Sequence, residues 1–230
     1  LDLLRRYRTN KPLNGLLVAV SVPDIIDANE QQLEEMGKKL RARIDEVMTR
    51  LRMQLPVYFL VTKSDLVAGF SEFFGDLRKS ERAQALGATL PLKEDKSDPG
   101  AIFAREFDLI VQGIHGRSSK RLVQERNRQA REAIYQFPLE FAGLKRNLQD
   151  LISQVFMVNA FQGTPIFRGF FFTSGTQEGA PMGRVLQRMG HAMGIRPAEA
   201  MQQQRVESKS YFLHDVFMRV VFPDADVAAR

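Results

Sequence analysis

The chain has no cysteine, so no disulfide framework holds it, a usage that fits a reducing compartment. Tryptophan is also absent, while phenylalanine reaches 17, which predicts a core built on Phe rings. Histidine is scarce: His115, His191 and His214 lack metal-ligand spacing and read as surface or helix residues. Unbroken apolar runs stay under about ten residues, too short to span a bilayer. No signal peptide is visible. Leu1 lies inside what reads as a helix and the chain ends in Ala-Asp-Val-Ala-Ala-Arg, so both ends read as cut from something longer. Neither sign of charge dominates. Lys plus Arg number 33 against 27 for Asp plus Glu, a net charge of +6. The basic residues are scattered over helices, with no aromatic-interleaved stripe of the single-strand-binding kind, which argues against nucleic acid. No Gly-x-x-x-x-Gly-Lys-[Ser/Thr] occurs, and no Asp-x-x-Gly follows a strand. These residues therefore offer no phosphate cradle and no magnesium-binding hydroxyl.

What is present centres on Pro56-Val57-Tyr58-Phe59-Leu60-Val61, an apolar run ending in Thr62-Lys63-Ser64-Asp65. The run reads as a buried parallel strand with the polar tetrad at its carboxyl end, where open α/β sheets bind ligands. The tetrad matches the [NT]KxD base-recognition motif of GTPases. In that chemistry Asp65 accepts from guanine N1 and N2, and the Lys63 stem lies over the base. Thr173-Ser174-Gly175 follows another apolar strand and has the small residues that let backbone N–H groups approach a base. Other catalytic readings are poor. Ser174 lacks the nucleophile-elbow pattern. Glu34-Glu35, Asp45-Glu46, Lys38-Lys39 and Arg41 to Arg43 read as solvated helix surface.

In order, the pattern predicts a helix tail over 1–8, a strand over 16–22 stopped by Pro23, and a helix from about Asn29 to Gln54. The apolar stripe of that helix is Leu33, Met36, Leu40, Ile44, Val47 and Leu51. A short helix follows at Phe70 to Arg78, and Arg82 to Gly100 loses periodicity. Phe103, Phe107, Ile110 and Ile114 mark a helix running towards Arg126, weakened by Gly113 and Gly116. Ala130 to Phe156 is helical, with Pro138 expected to kink or restart it. The third strand is 166–173. A helix from Pro181 to about Met193, a polar linker from Gly194 to Lys209, and a helix Tyr211 to Val221 capped by Ser210 complete the reading. The expected fold is α/β: a partial P-loop NTPase/GTPase-like parallel sheet, three strands seen, with a large helical insertion. Residues 1–79 and 161–193 would form the NTPase-like domain, 80–160 the insertion, and 194–230 the linker and last helix. The three strands should be parallel neighbours in chain order.

Pro12-Leu13-Asn14-Gly15, Leu55 through Leu66, Ala68-Gly69-Phe70-Ser71-Glu72-Phe73-Phe74, and Gly169 through Gly179 together resemble the IcmF/TssM family. Ser210-Tyr211-Phe212-Leu213 and Val221-Phe222-Pro223 extend the resemblance over nearly the whole chain. It implies an inner-membrane component of type VI secretion systems, with this region an NTPase-like domain on the cytoplasmic side. It implies a trans-envelope complex with TssL and TssJ that docks baseplate proteins, self-oligomerisation, and no nucleic acid or other small-molecule substrate. It also implies GTP or ATP with Mg2+ as ligand, held by upstream P-loop residues absent here. The expected base-binding residues are Thr62, Lys63, Asp65, Ser174 and Gly175, with none catalytic and none for metal. A structural and regulatory part of the machine and an active NTPase driving assembly both remain open readings.

Overall fold

A computed structural model describes residues 1–8, 11–92, 98–157, 163–175 and 209–228. Strand β2, Pro56–Thr62, is inside the sheet, and its residues up to Val61 are all buried. It pairs in parallel with β1, Leu16–Ser21, on one side and β4, Ile166–Phe172, on the other. The expected parallel order of those strands therefore holds. A fourth strand, β3, Leu86–Thr89, adds to β4 antiparallel, giving the order β1-β2-β4-β3. Among the described residues the sheet is thus mixed and has four strands, and the stretch 80–160 is not purely helical. The sequence hid β3 because it is a short edge strand, its Leu86-Gly87-Ala88 segment only half-buried. Its pattern is too brief to show a period of two.

Side-chain alternation divides the sheet. Val18, Val20, Val57, Phe59, Val61, Phe170 and Phe172 point into the main core. That core is covered by helices. Helix α3, Glu30–Leu51, begins at Asn29, whose side chain accepts from the Gln32 N–H while Gln32 accepts from the Asn29 N–H, a complete capping box. Its Gly37 lets α8, Lys145–Phe156, come close; a Cβ there would sit 2.6 Å from the Gln154 Cβ. Helix α6, Pro99–Gln124, is capped by Asp98 and runs unbroken through Gly113 and Gly116. Short helices α1, Asp2–Tyr7, α2, Val22–Ile26, α4, Phe70–Phe74, and α5, Lys79–Ala83, complete the set with α7, Arg128–Ala142. Pro23 does end β1, but it does so by opening α2. The expected Phe70 to Arg78 helix stops at Phe74, and α5 is a separate short helix that begins after Arg78. The Phe-rich core appears as expected: Phe107 stacks on Phe141 at 5.2 Å, and Phe103 meets Phe170 edge-on at 4.6 Å.

Pro138 does not restart its helix, which runs through it; the break falls at Gly143-Leu144, between α7 and α8. A proline removes the hydrogen bond to the carbonyl four residues back, here that of Ile134. The buried Ser118 hydroxyl on α6 donates to that carbonyl at 3.3 Å, so α7 carries Pro138 without an orphaned acceptor.

The other face of the sheet presents Tyr58, Leu60 and Phe171. Val216, Val220 and Val221 cover them from a π-helical turn, Val216–Val221, and Pro223–Asp226 closes it with a 3-10 turn. The expected helix over Tyr211 to Val221 forms only from His214 onward, and Ser210 does not cap it. Tyr211 instead pairs with Ser174 as an isolated bridge, and Phe212 takes a left-handed backbone with φ 61°. Burial of both rings against Phe70, and of Phe212 against Phe74, outweighs local helix preference. The expected helix from Pro181, most of the polar linker and loop residues 93–97 lie outside the described residues.

Candidate functional site at the carboxyl edge of the sheet

The tetrad emerges where β2 leaves the sheet. Lys63 turns the chain with φ 56° and ψ 38°, a left-handed conformation that costs a non-glycine residue about 1–2 kcal/mol. Ser64–Leu66 then form a 3-10 turn, which fixes the Asp65 carboxylate at the end of the strand. The Ser64 N–H donates to the Thr173 carbonyl at 3.1 Å, and the Thr173 N–H donates to Val61 at 2.8 Å. These bonds lock the loop after β2 to the loop after β4. Thr62 is half-buried, its hydroxyl donating to the Val20 carbonyl at 3.3 Å. Lys63 is exposed and its ammonium has no partner among the described residues.

The two loops meet in one contact. The fully buried Ser174 hydroxyl donates to Asp65 Oδ1 at 2.6 Å, across 109 positions of sequence. Asp65 is itself 7% exposed, so this is a short bond to a charged acceptor in a sheltered place. Its Oδ2 has no protein donor among the described residues. Asp65 and the Ser174-Gly175 loop thus share one end of the sheet, as the sequence predicts.

The backbone of Ser174 is a different matter. Its N–H donates to the Tyr211 carbonyl at 3.0 Å, and the Tyr211 N–H donates back at 2.8 Å. Ser174 therefore has no free backbone donor; it acts through its hydroxyl, on Asp65. Gly175 is exposed, with nothing within 4 Å of where a Cβ would stand, and its N–H has no acceptor among the described residues. Sequence reading missed Tyr211 here. The only available signal was the closing Ser-Tyr-Phe-Leu segment, whose polar-aromatic pattern looked like a helix start.

This edge offers one oriented carboxylate as a hydrogen-bond acceptor and one glycine N–H as a donor. No group of three or more His, Cys, Asp or Glu side chains converges among the described residues, and the sequence has no P-loop.

Over residues 1–230 the chain matches the family described as IcmF-related N-terminal domain. The chain belongs to the IcmF/TssM family. Within the family it is 38% identical over 224 residues to the type VI secretion system component TssM1 of Pseudomonas aeruginosa. That alignment takes in 96% of this chain and 20% of TssM1, so the chain spans about one fifth of the length of that relative. No solved structure matches. No helix among the described residues of this IcmF/TssM domain is long and apolar enough to cross a membrane.

Proposed function

We propose that this chain is the cytoplasmic NTPase-like region of a TssM-like inner-membrane component of a type VI secretion system. Its role is structural and regulatory, within the trans-envelope complex that includes TssL and TssJ and docks the baseplate. The kinship with TssM1 supports the machine, and the Ser174–Asp65 bond at the carboxyl edge of the parallel strands carries the reading of the fold. Asp65 would read a guanine edge with Ser174 holding it in place, Gly175 would offer its N–H, and Thr62 and Lys63 would shape the loop beside it.

This chain alone should bind nucleotide weakly. It offers one carboxylate, one lysine stem and one open backbone donor, whereas phosphate contacts of about 1.5–3 kcal/mol each supply much of the affinity in such folds. The test uses the full-length protein. Asp65→Asn keeps an acceptor for Ser174 and alters the base contact. In the scaffold reading, secretion by cells carrying this substitution stays within about twofold of wild type, because the isosteric Asn keeps an acceptor for the buried Ser174 hydroxyl. The runner-up, an active NTPase driving assembly, expects the substitution to abolish secretion and to move calorimetric binding from GTP to XTP.

A further inference from the structure

The hairpin between α6 and α7 carries a groove of about 540 Å³ lined by Leu122, Arg126, Arg128, Arg131, Glu132 and Tyr135. Among the described residues, the Arg126 and Arg131 guanidinium groups make no ion pair or hydrogen bond. Both acids at this tip are already engaged. Glu132 accepts from Arg128 Nε at 3.2 Å. Glu125 accepts the N–H groups of Asn127 and Arg126, which hold its carboxyl below the usual range, and it lies 3.8 Å from Arg121. Residues 117–132 contain Arg117, Lys120, Arg121, Arg126, Arg128 and Arg131 against Glu125 and Glu132. Arg117 and Arg121 are offset by Asp76, but Arg126 and Arg131 are not, and beside them stand exposed apolar side chains. Tyr135 is 65% exposed, Leu139, one turn further along α7, is 47% exposed, and Val123 is 87% exposed.

We propose that this groove is a docking site for an acidic protein segment bearing apolar anchors. Arginine rather than lysine lines it, and the planar guanidinium takes carboxylates in a fixed two-point geometry. Exposed Tyr and Arg together are the residue types that dominate interface energies. A membrane surface would favour a flat face with a larger cluster of Lys and Arg, and a nucleic acid would favour stacked aromatics along a basic track; a recess with one aromatic and two free arginines fits a peptide best. Charge complementarity sets the occupant: Glu or Asp opposite Arg126 and Arg131, with an aliphatic or aromatic residue against Tyr135 and Leu139.

The test is selection of random 16-residue peptides on phage against the full-length protein, followed by anisotropy titration of the enriched peptides at 0.15 M salt. Enrichment of acidic sequences with apolar anchors is expected. Arg126→Glu combined with Arg131→Glu should weaken binding at least tenfold, and Tyr135→Ala should weaken it comparably. Arg43→Glu, an exposed charge reversal on α3, should change it less than twofold. Because every altered side chain is exposed, thermal midpoints should match wild type, and Arg126→Lys with Arg131→Lys should bind between the two extremes. Absence of an acidic consensus, or consensus peptides indifferent to the Arg126 and Arg131 reversal, would overturn the proposal. So would binding to vesicles containing phosphatidylglycerol, or to a single-stranded RNA oligonucleotide, that those substitutions abolish while peptide binding persists.

Discussion

Tyr58 shows what one hydroxyl does at a sheet face. Its ring is buried, and its O–H donates to Asp224 Oδ2 at 2.9 Å. Asp224 also receives Arg168 through Nε at 2.6 Å and a second nitrogen at 3.1 Å, while Arg168 reaches the Leu90 carbonyl as well. Burial first, and then the bond to Asp224, push the Tyr58 phenol above its ordinary value. The unfolded chain gives up this proton near pH 10, but the folded chain retains it. The stabilising contribution is therefore complete below about pH 10 and is lost as pH rises beyond it. Urea titrations between about pH 9 and 11 should show wild-type stability falling faster than that of Tyr58→Phe, which lacks the ionisable group. Parallel slopes would mean that Tyr58 ionises no differently in the two states. The Tyr58–Asp224 pairing spans 166 positions and left no mark on the local sequence, unlike the Asp65 and Ser174 loops, whose residue types announced themselves at the ends of two apolar strands.

Among the helices, α7 depends on a neighbour for its continuity. Pro138 removes an internal hydrogen bond, and Ser118 on α6 replaces it at the Ile134 carbonyl. Ser118→Ala should leave that buried acceptor unsatisfied and lower stability by about 1–3 kcal/mol, measured by chemical denaturation. A loss below about 0.5 kcal/mol would show that the carbonyl needs no such partner. The apolar stripes of α3, α6 and α8 were readable because each buries one continuous face. Leu33, Ile44 and Leu51 of the expected α3 stripe are buried, while Met36, Leu40 and Val47 are half-buried at its margin. Strand β3 was not readable, because its pairing is set by β4 rather than by its own four residues, whereas the break at Gly143-Leu144 falls at a glycine, a local breaker that the long apolar stripe masked.

Across the molecule, the last described segment works as a strap. Lys11 pairs with Asp226 at 2.9 Å, Arg168 holds Asp224, and Val216 seals Tyr58, Leu60 and Phe171. Val216 is fully buried, so Val216→Asp would place an unpaired charge against the sheet and should cost at least about 3 kcal/mol. Met218, 54% exposed in the same turn, should accept Asp within about 0.5 kcal/mol. Melting curves of the two variants separate a strap that belongs to the core from one that merely lies on it; equal, small losses would exclude the former. Leu17, by contrast, remains 44% exposed on the edge strand β1.

The sequence by itself determined the parallel βαβ core, the Phe-rich interior and the placing of Asp65 and Ser174 at strand ends. Apolar runs closed by polar tetrads and stripes of period 3.6 are local signals, legible without a partner. Tertiary structure alone decided the antiparallel β3, the continuation of α7 through Pro138 and the late start of the terminal helix, whose expected first residue Tyr211 is held instead in the bridge to Ser174. It also turned Ser174 from a backbone donor into a hydroxyl donor to Asp65. In each of these the deciding term is burial or hydrogen-bond satisfaction supplied by residues distant in sequence, and such terms outweigh the few tenths of a kcal/mol per residue that local propensity contributes.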